Sequence, residues 1–211
     1  MSPGRVRWAA GAAVAAATAG TGAVVYALGA LPEPWLRGYV SEGGVASSPR
    51  HLVYRAGIVL VAAALVLLGT ALRRLVPFVF ALLVMAGGFG AVSAAVSCTP
   101  GCPLPPYEAS TAKDLVHAGA SVGAVGLAMV AMGAVALIAL QPALRRTARV
   151  FFAVSLPLML ALVFGLLAIG RGLFTSVLER VALVPPVLWI AVTGLLALRV
   201  IDIDRRERDP G

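Results

Sequence analysis

The stretch Leu52–Leu72, LVYRAGIVLVAAALVLLGTAL, decides how the rest of the chain is read. It carries one charge, Arg55, near its start, and no proline. A helix of about 20 such residues is about 30 Å long, the thickness of a bilayer's hydrocarbon core. Outward from it lie five more apolar runs, at about Trp8–Leu31, Leu75–Ser97, Asp114–Leu140 and Val150–Gly170, with a last one over about residues 180–200. None shows the ten-residue alternation of a transmembrane barrel strand. In lipid, a helix is the form that satisfies its own backbone. Over 211 residues, 60% of side chains are apolar and 12% are charged. Ordinary globular domains run to about 45–50% and about 25%. Such a chain is not a soluble enzyme, a disordered segment or a small disulfide scaffold.

The expected fold is therefore all-α: a polytopic membrane helical bundle of six transmembrane helices, one integral membrane domain over residues 1–211 with a charged tail at 201–211. The first run also resembles a secretory signal, because Arg5 and Arg7 precede it. It exceeds the roughly 7–15 apolar residues of a signal core, and no clean A-x-A site follows. It reads as a retained helix. The net charge is +8, from 17 Lys and Arg against 9 Asp and Glu. The bases sit in short clusters between apolar runs, without the stripe of interleaved aromatics that nucleic acid would call for. They act as orientation signals. With the N-terminus inside, Arg5, Arg7, Arg73, Arg74, Arg145, Arg146, Arg149, Arg199, Arg205, Arg206 and Arg208 face the cytoplasm. Arg37, Arg50, Arg55, Lys113, Arg171 and Arg180 face out. The expectation is a multi-pass plasma-membrane protein with both termini cytoplasmic.

Between the runs, the cytoplasmic turns are short and the exported loops are rich in special residues: LPEPWLRGYVSEGGVASSPR, CTPGCPLPPYEASTAK and RGLFTSVLER. Pro157 should kink the fifth helix, and Pro185-Pro186 should break the sixth into two parts. Gly119 and Gly123, and the series Gly87, Ala91 and Ala95, are small-residue faces that suit close helix packing.

The chemistry-bearing residues gather on the exported face. Asp114, His117 and Ser121 fall within about a 60° arc of one helix. That places Asp114 and His117 as candidate acid and base, yet no nucleophile elbow accompanies them. The plainer reading has Thr111 capping the helix, Asp114 favouring its positive end, and His117 bonding a neighbour. His51 and His117 are the only histidines. A haem or metal held by them, or with Cys98, Cys102, Glu108 and Asp114, matches no strong ligand spacing; no cofactor and no metal are expected. Cys98 and Cys102 bracket Thr-Pro-Gly. Outside the cytoplasm they are disulfide candidates, with free thiols or redox chemistry as alternatives. Ser41 and Glu42 lie beside Gly43-Gly44, and Arg55 needs a partner, for which Glu42, Glu108 and Asp114 are candidates. Glu179 and Arg180, being adjacent, face different sides and pair with other segments. Five acids, Glu33, Glu42, Glu108, Asp114 and Glu179, nearly balance the six bases of this face.

YVSEGG after the first helix, DLVHAGAS opening the fourth, and GLFTSVLERVALVPPVLW leading into the sixth resemble the bacterial family of six-helix membrane proteins called domain of unknown function (DUF) 998. The resemblance spans nearly the whole chain. Gly43 stands where that family commonly has Leu. The family is in turn distantly similar to DRAM-like membrane proteins, some tied to lipid handling. The resemblance implies a six-helix fold and an outer-face site around Ser41, Glu42, Asp114, His117 and Glu179, with no established reaction.

Three functions follow. One is binding of a membrane lipid or small amphiphile through Ser41, Glu42, Arg55, Glu108, Asp114, His117, Glu179 and Arg180. The second is a lipid hydrolase or transferase working through Asp114 and His117. The third is a structural or assembly subunit, with a homo-oligomer or another membrane protein as partner. A binder needs an apolar pocket beneath the cluster, an enzyme needs Asp114, His117 and Glu42 to converge beside a cleft, and a scaffold needs its charges paired.

Overall fold

The computed structural model describes residues 3–31 and 36–208, with side chains placed for 4–31 and 36–199. Among these, six helices are long and apolar enough to cross a bilayer, and no strand is present. They are α1 (Pro3–Leu28), α2 (His51–Leu72), α3 (Pro77–Ala95), α4 (Ala112–Ile138), α5 (Pro142–Ala168) and α6 (Leu173–Arg208). A 3-10 turn, Val40–Gly44, lies in the first loop.

Two helices begin earlier than hydropathy indicates. The sixth starts at Leu173, not near residue 180, and runs unbroken through Pro185-Pro186. Two adjacent prolines deprive two carbonyls of their N–H partners, but an unwound stretch in hydrocarbon would bare more groups than that. The fifth starts at Pro142, not Val150, so QPALRRTAR is mostly helix. Proline suits a first helical turn, where its missing N–H costs nothing. The apolar window marks what lipid covers; the helix continues past it. Pro77 opens α3 in the same way.

Each helix packs on the next, and α6 packs back on α1, closing a ring into which α2 also touches α6. The neighbours are antiparallel. Gly20 of α1 meets Gly57 of α2, while Ala10 and Ala71 meet at the other end of the same pair. Ser93 of α3 meets Ser121 of α4, Ala136 of α4 meets Arg149 of α5, and Gly165 of α5 meets Thr175 of α6. The long loops therefore gather at one end and the arginine-rich turns at the other.

Small residues set these distances. A β-carbon on Gly20 would lie 2.7 Å from the Gly57 carbonyl, and one on Gly57 would lie 2.8 Å from that of Gly20. Backbone cannot yield there, so the two helices touch directly. On α3 the packing face is Ala86, Gly87, Gly90 and Ala94. Ala91 and Ala95 are exposed, and Gly119 has open space beside it, so those parts of the expected small-residue faces are not contacts. One apolar core draws on all six helices, with Leu68, Leu72, Leu83, Met132 and Trp189 fully buried.

Candidate functional site

At the loop-bearing end, the 3-10 turn is gripped from three sides. Glu42 Oε1 accepts the Tyr39 N–H at 2.9 Å and Arg171 Nη2 at 2.6 Å. Arg171 comes from the short link between α5 and α6, and its Nη1 donates to the Gly101 carbonyl of the second loop at 2.9 Å. One ion pair thus joins all three loops. Gly38 and Gly101 make room for it: both have positive φ, 79° and 87°. A β-carbon would lie 2.7 Å from the Glu42 carboxylate at the first and 2.6 Å from Arg171 at the second. Only glycine takes such backbone angles without strain.

Two residues about two turns into α6 also hold the same turn. Glu179 Oε2 accepts the Val40 N–H at 2.8 Å, and Arg180 Nη1 donates to the carbonyls of Gly38, at 2.9 Å, and Ser176, at 2.8 Å. Arg55 of α2 donates from Nε to the Gly44 carbonyl at 3.3 Å. Among the described residues, Arg55 pairs with none of the expected carboxylates Glu42, Glu108 and Asp114; the Gly44 carbonyl takes that place. Gly43 and Gly44 lie flat on the buried Tyr54 ring. Ser41 contributes its carbonyl, 4.0 Å from the Cys98 sulfur. Tyr39 is buried beneath Arg171; burial, with help from the Glu108 and Glu179 charges, pushes its phenol up to about 12.

The second loop is tied down by Asp114, which is 1% exposed. Two threonines supply four donors to it. Thr99 gives its N–H at 2.6 Å and its hydroxyl at 2.9 Å; Thr111, the α4 N-cap, gives its N–H at 2.9 Å and its hydroxyl at 2.7 Å. The Asp114 N–H returns a bond to the Thr111 hydroxyl. One carboxylate therefore caps α4 and anchors the chain leaving α3. Three residues on, His117 Nδ1 meets the carbonyls of Val96 at 2.6 Å and Ser93 at 3.0 Å. Carbonyls only accept, so Nδ1 carries a proton, while the buried Nε2 has no partner among the described residues. The Ser93 and Ser121 hydroxyls bond one another at 2.7 Å, and Ser121 donates to the His117 carbonyl. Cys98 and Cys102 are joined in a disulfide.

The expected site residues divide accordingly. Ser41, Glu42, Glu179 and Arg180 meet around the turn, and Arg55 reaches its far side. Asp114 and His117 lie on the second loop's anchor, with no hydrogen bond joining them to each other or to Glu42. Glu108 stays in its own loop, accepting the Leu104 N–H at 3.3 Å. His51 opens α2 with Nδ1 on the Ser48 carbonyl, 3.0 Å away. Glu33 lies outside the described residues. Among those described, no group of three His, Cys, Asp or Glu side chains is placed to hold a metal ion. Arg171 and Thr99, both central, carry no local sequence signal; their partners are remote in the chain.

Two surface hollows lie at the opposite end. One, about 280 Å³, is lined by Val6, Thr70, Arg73, Arg74 and Pro77; the other, about 130 Å³, by Arg74, Leu75, Ala139, Leu140, Gln141 and Leu144.

Six apolar helices in a closed up-and-down ring, with polar loops pinned to one end, define a multi-pass membrane protein. The chain belongs to the family described as protein of unknown function (DUF998), whose model matches residues 12–196. No curated protein and no solved structure matches it.

Proposed function

We propose that this protein is a non-catalytic multi-pass membrane protein, a structural or assembly subunit, in which the polar cluster is a clasp that locks three loops onto the bundle. The observation that carries the reading is Asp114. Its two oxygens are taken up by four donors in a buried setting, which leaves no lone pair poised to accept a substrate proton. Glu42 engages the Tyr39 N–H and Arg171 through Oε1, and Glu179 the Val40 N–H through Oε2, so both also serve to hold the turn. The clustering of arginines supports placing the other end, and with it both termini, at the cytoplasmic face of the plasma membrane.

The experiment offers purified protein a panel of phospholipids and follows both turnover and folding. Wild type is expected to convert none of them. Phospholipid turnover by the wild-type chain that vanishes in a folded Asp114→Asn or His117→Ala variant would overturn the reading. A second reading, binding of a lipid or small amphiphile at this end, draws on the unpartnered Nε2 of His117. Lipid retained by wild type and lost in His117→Ala would favour it.

A further inference from the structure

The arginine-rich end poses a separate question. Before residue 200, eight arginines belong to it: Arg5, Arg7, Arg73, Arg74, Arg145, Arg146, Arg149 and Arg199. No Asp or Glu lies at this end until Asp202. The tail beyond adds three arginines and four acids, which leaves the excess standing. Some of these arginines have structural work. Arg149 donates to the Ala136 carbonyl at the close of α4, and Arg73 lies over the Phe80 ring at 5.0 Å. Arg74 has neither: it is exposed, without a hydrogen bond or ion pair among the described residues.

Arg74 lines both hollows of this end. The larger lies between the start of α1, the close of α2 and the start of α3, with Arg73 and Arg74 together on its wall. The rest of that wall is Val6, Pro77 and Thr70, whose hydroxyl is turned back onto the Val66 carbonyl of its own helix at 2.8 Å. The hollow thus has a largely apolar wall to which both arginines contribute, their exposed side chains beside it, and no Asp or Glu among the residues that line it. Its volume of about 280 Å³ falls just below the roughly 300–1,000 Å³ that encloses a whole drug-sized ligand. It suits a headgroup whose chains remain outside. Leu75 and Phe78, next in sequence to lining residues, stand exposed, 38% and 60% accessible, and Trp8 of α1 is 69% accessible. Exposed aromatics next to arginines mark the level where headgroups meet hydrocarbon.

We propose that Arg73, Arg74 and the hollow between α1, α2 and α3 form a binding site for the phosphate-bearing headgroup of an anionic phospholipid. Guanidinium groups pair with phosphate through parallel N–H bonds. Basic pockets between transmembrane helices are a recurring form of headgroup recognition. A zwitterionic lipid carries the same phosphate, but its ammonium group would sit among the surrounding arginines. The headgroup must therefore be one without a cation, such as phosphoglycerol. The site is independent of the clasp, which lies at the far end.

The test is native mass spectrometry of the full chain in detergent, titrated with phosphatidylglycerol and with phosphatidylcholine of the same chain length. Wild type should bind the anionic lipid at least about tenfold more tightly. R73Q/R74Q should abolish that preference. V6W, which fills the hollow and keeps every charge, should weaken anionic-lipid binding about tenfold. R145Q/R146Q removes the same charge from the same end without touching the larger hollow, and should bind within about twofold of wild type. Equal binding of both lipids by wild type would overturn the proposal without recourse to any variant. So would an equal loss in R145Q/R146Q, which would reduce the effect to general charge. Displacement of the lipid by inorganic phosphate at matched concentration would also overturn it, because the site would then serve a soluble anion.

Discussion

Glu42, Asp114 and Glu179 each accept backbone N–H groups of the loop-bearing end, and arginines there reach carbonyls of the same loops. At the other end Arg74 has no partner among the described residues and lines two hollows. The difference follows from what each end must cover. Loops of a dozen residues or more carry backbone groups that neither helix nor lipid satisfies, so charged side chains are recruited as caps. Turns as short as Arg73–Val76 leave little backbone to cap, and their charges face outward. Charge at the first end holds the loops to the bundle; at the second, Arg149 caps the close of α4 while Arg74 is left exposed.

The strongest way to break this contrast is to remove one cap. Asp114→Ala strips four donors of their acceptor and uncaps α4. Charged hydrogen bonds contribute about 1.5–3 kcal/mol each and a cap about 1 kcal/mol, partly recovered by water. A net loss of about 3 kcal/mol is expected in denaturant or thermal unfolding in micelles. Arg74→Ala should stay within about 0.5 kcal/mol of wild type. Comparable losses from the two would erase the distinction between the ends.

A smaller effect sharpens it. Glu42 and Arg171 form the ion pair that joins the three loops, with side chains 19% and 36% accessible. Partial exposure limits such a pair to about 1 kcal/mol or less. Glu42→Gln should cost about that much, and the gap from wild type should narrow in 1 M salt, where screening acts within about 3 Å. Limited proteolysis should meanwhile find the first loop more readily cut, because the pair secures the loop's position more than the bundle's stability. A loss that ignores salt would place the role of Glu42 in its bond to the Tyr39 N–H instead.

The spans were legible because hydrocarbon imposes a length and a composition that any window of the chain reveals. Their ends were less so. QPALRRTAR is charged and opens with proline after its glutamine, yet it forms the first turns of α5, since a helix need not stop where lipid does. In α6 the paired prolines suggested a break that the cost of bare backbone in a membrane forbids. At the clasp, Glu42, Asp114 and Glu179 stood out as acids, each inside one of the three strings that resemble the family. Arg171 counted only as loop charge, because its partner is 129 residues away. Thr99 was silent for the same reason: a hydroxyl and an N–H become anchors only once α3 and α4 are side by side.

The finest test of the loop-bearing end is Tyr39, whose phenol is pushed up to about 12 by burial and by the neighbouring carboxylates. An unfolded tyrosine ionises near 10. The folded chain therefore holds this proton more tightly than the unfolded chain does. Stability from this group is fully present below pH 10 and declines as pH rises from there toward about 12. At neutral pH, Tyr39→Phe should change little, since the phenol is neutral and no hydrogen bond to its oxygen is present among the described residues. Above pH 10 the variant should lose less stability than wild type. Absorbance near 295 nm should show the corresponding phenolate appearing late in wild type and absent in the variant. A Tyr39 that ionises near 10 would mean that water reaches beneath Arg171 and that the clasp is open.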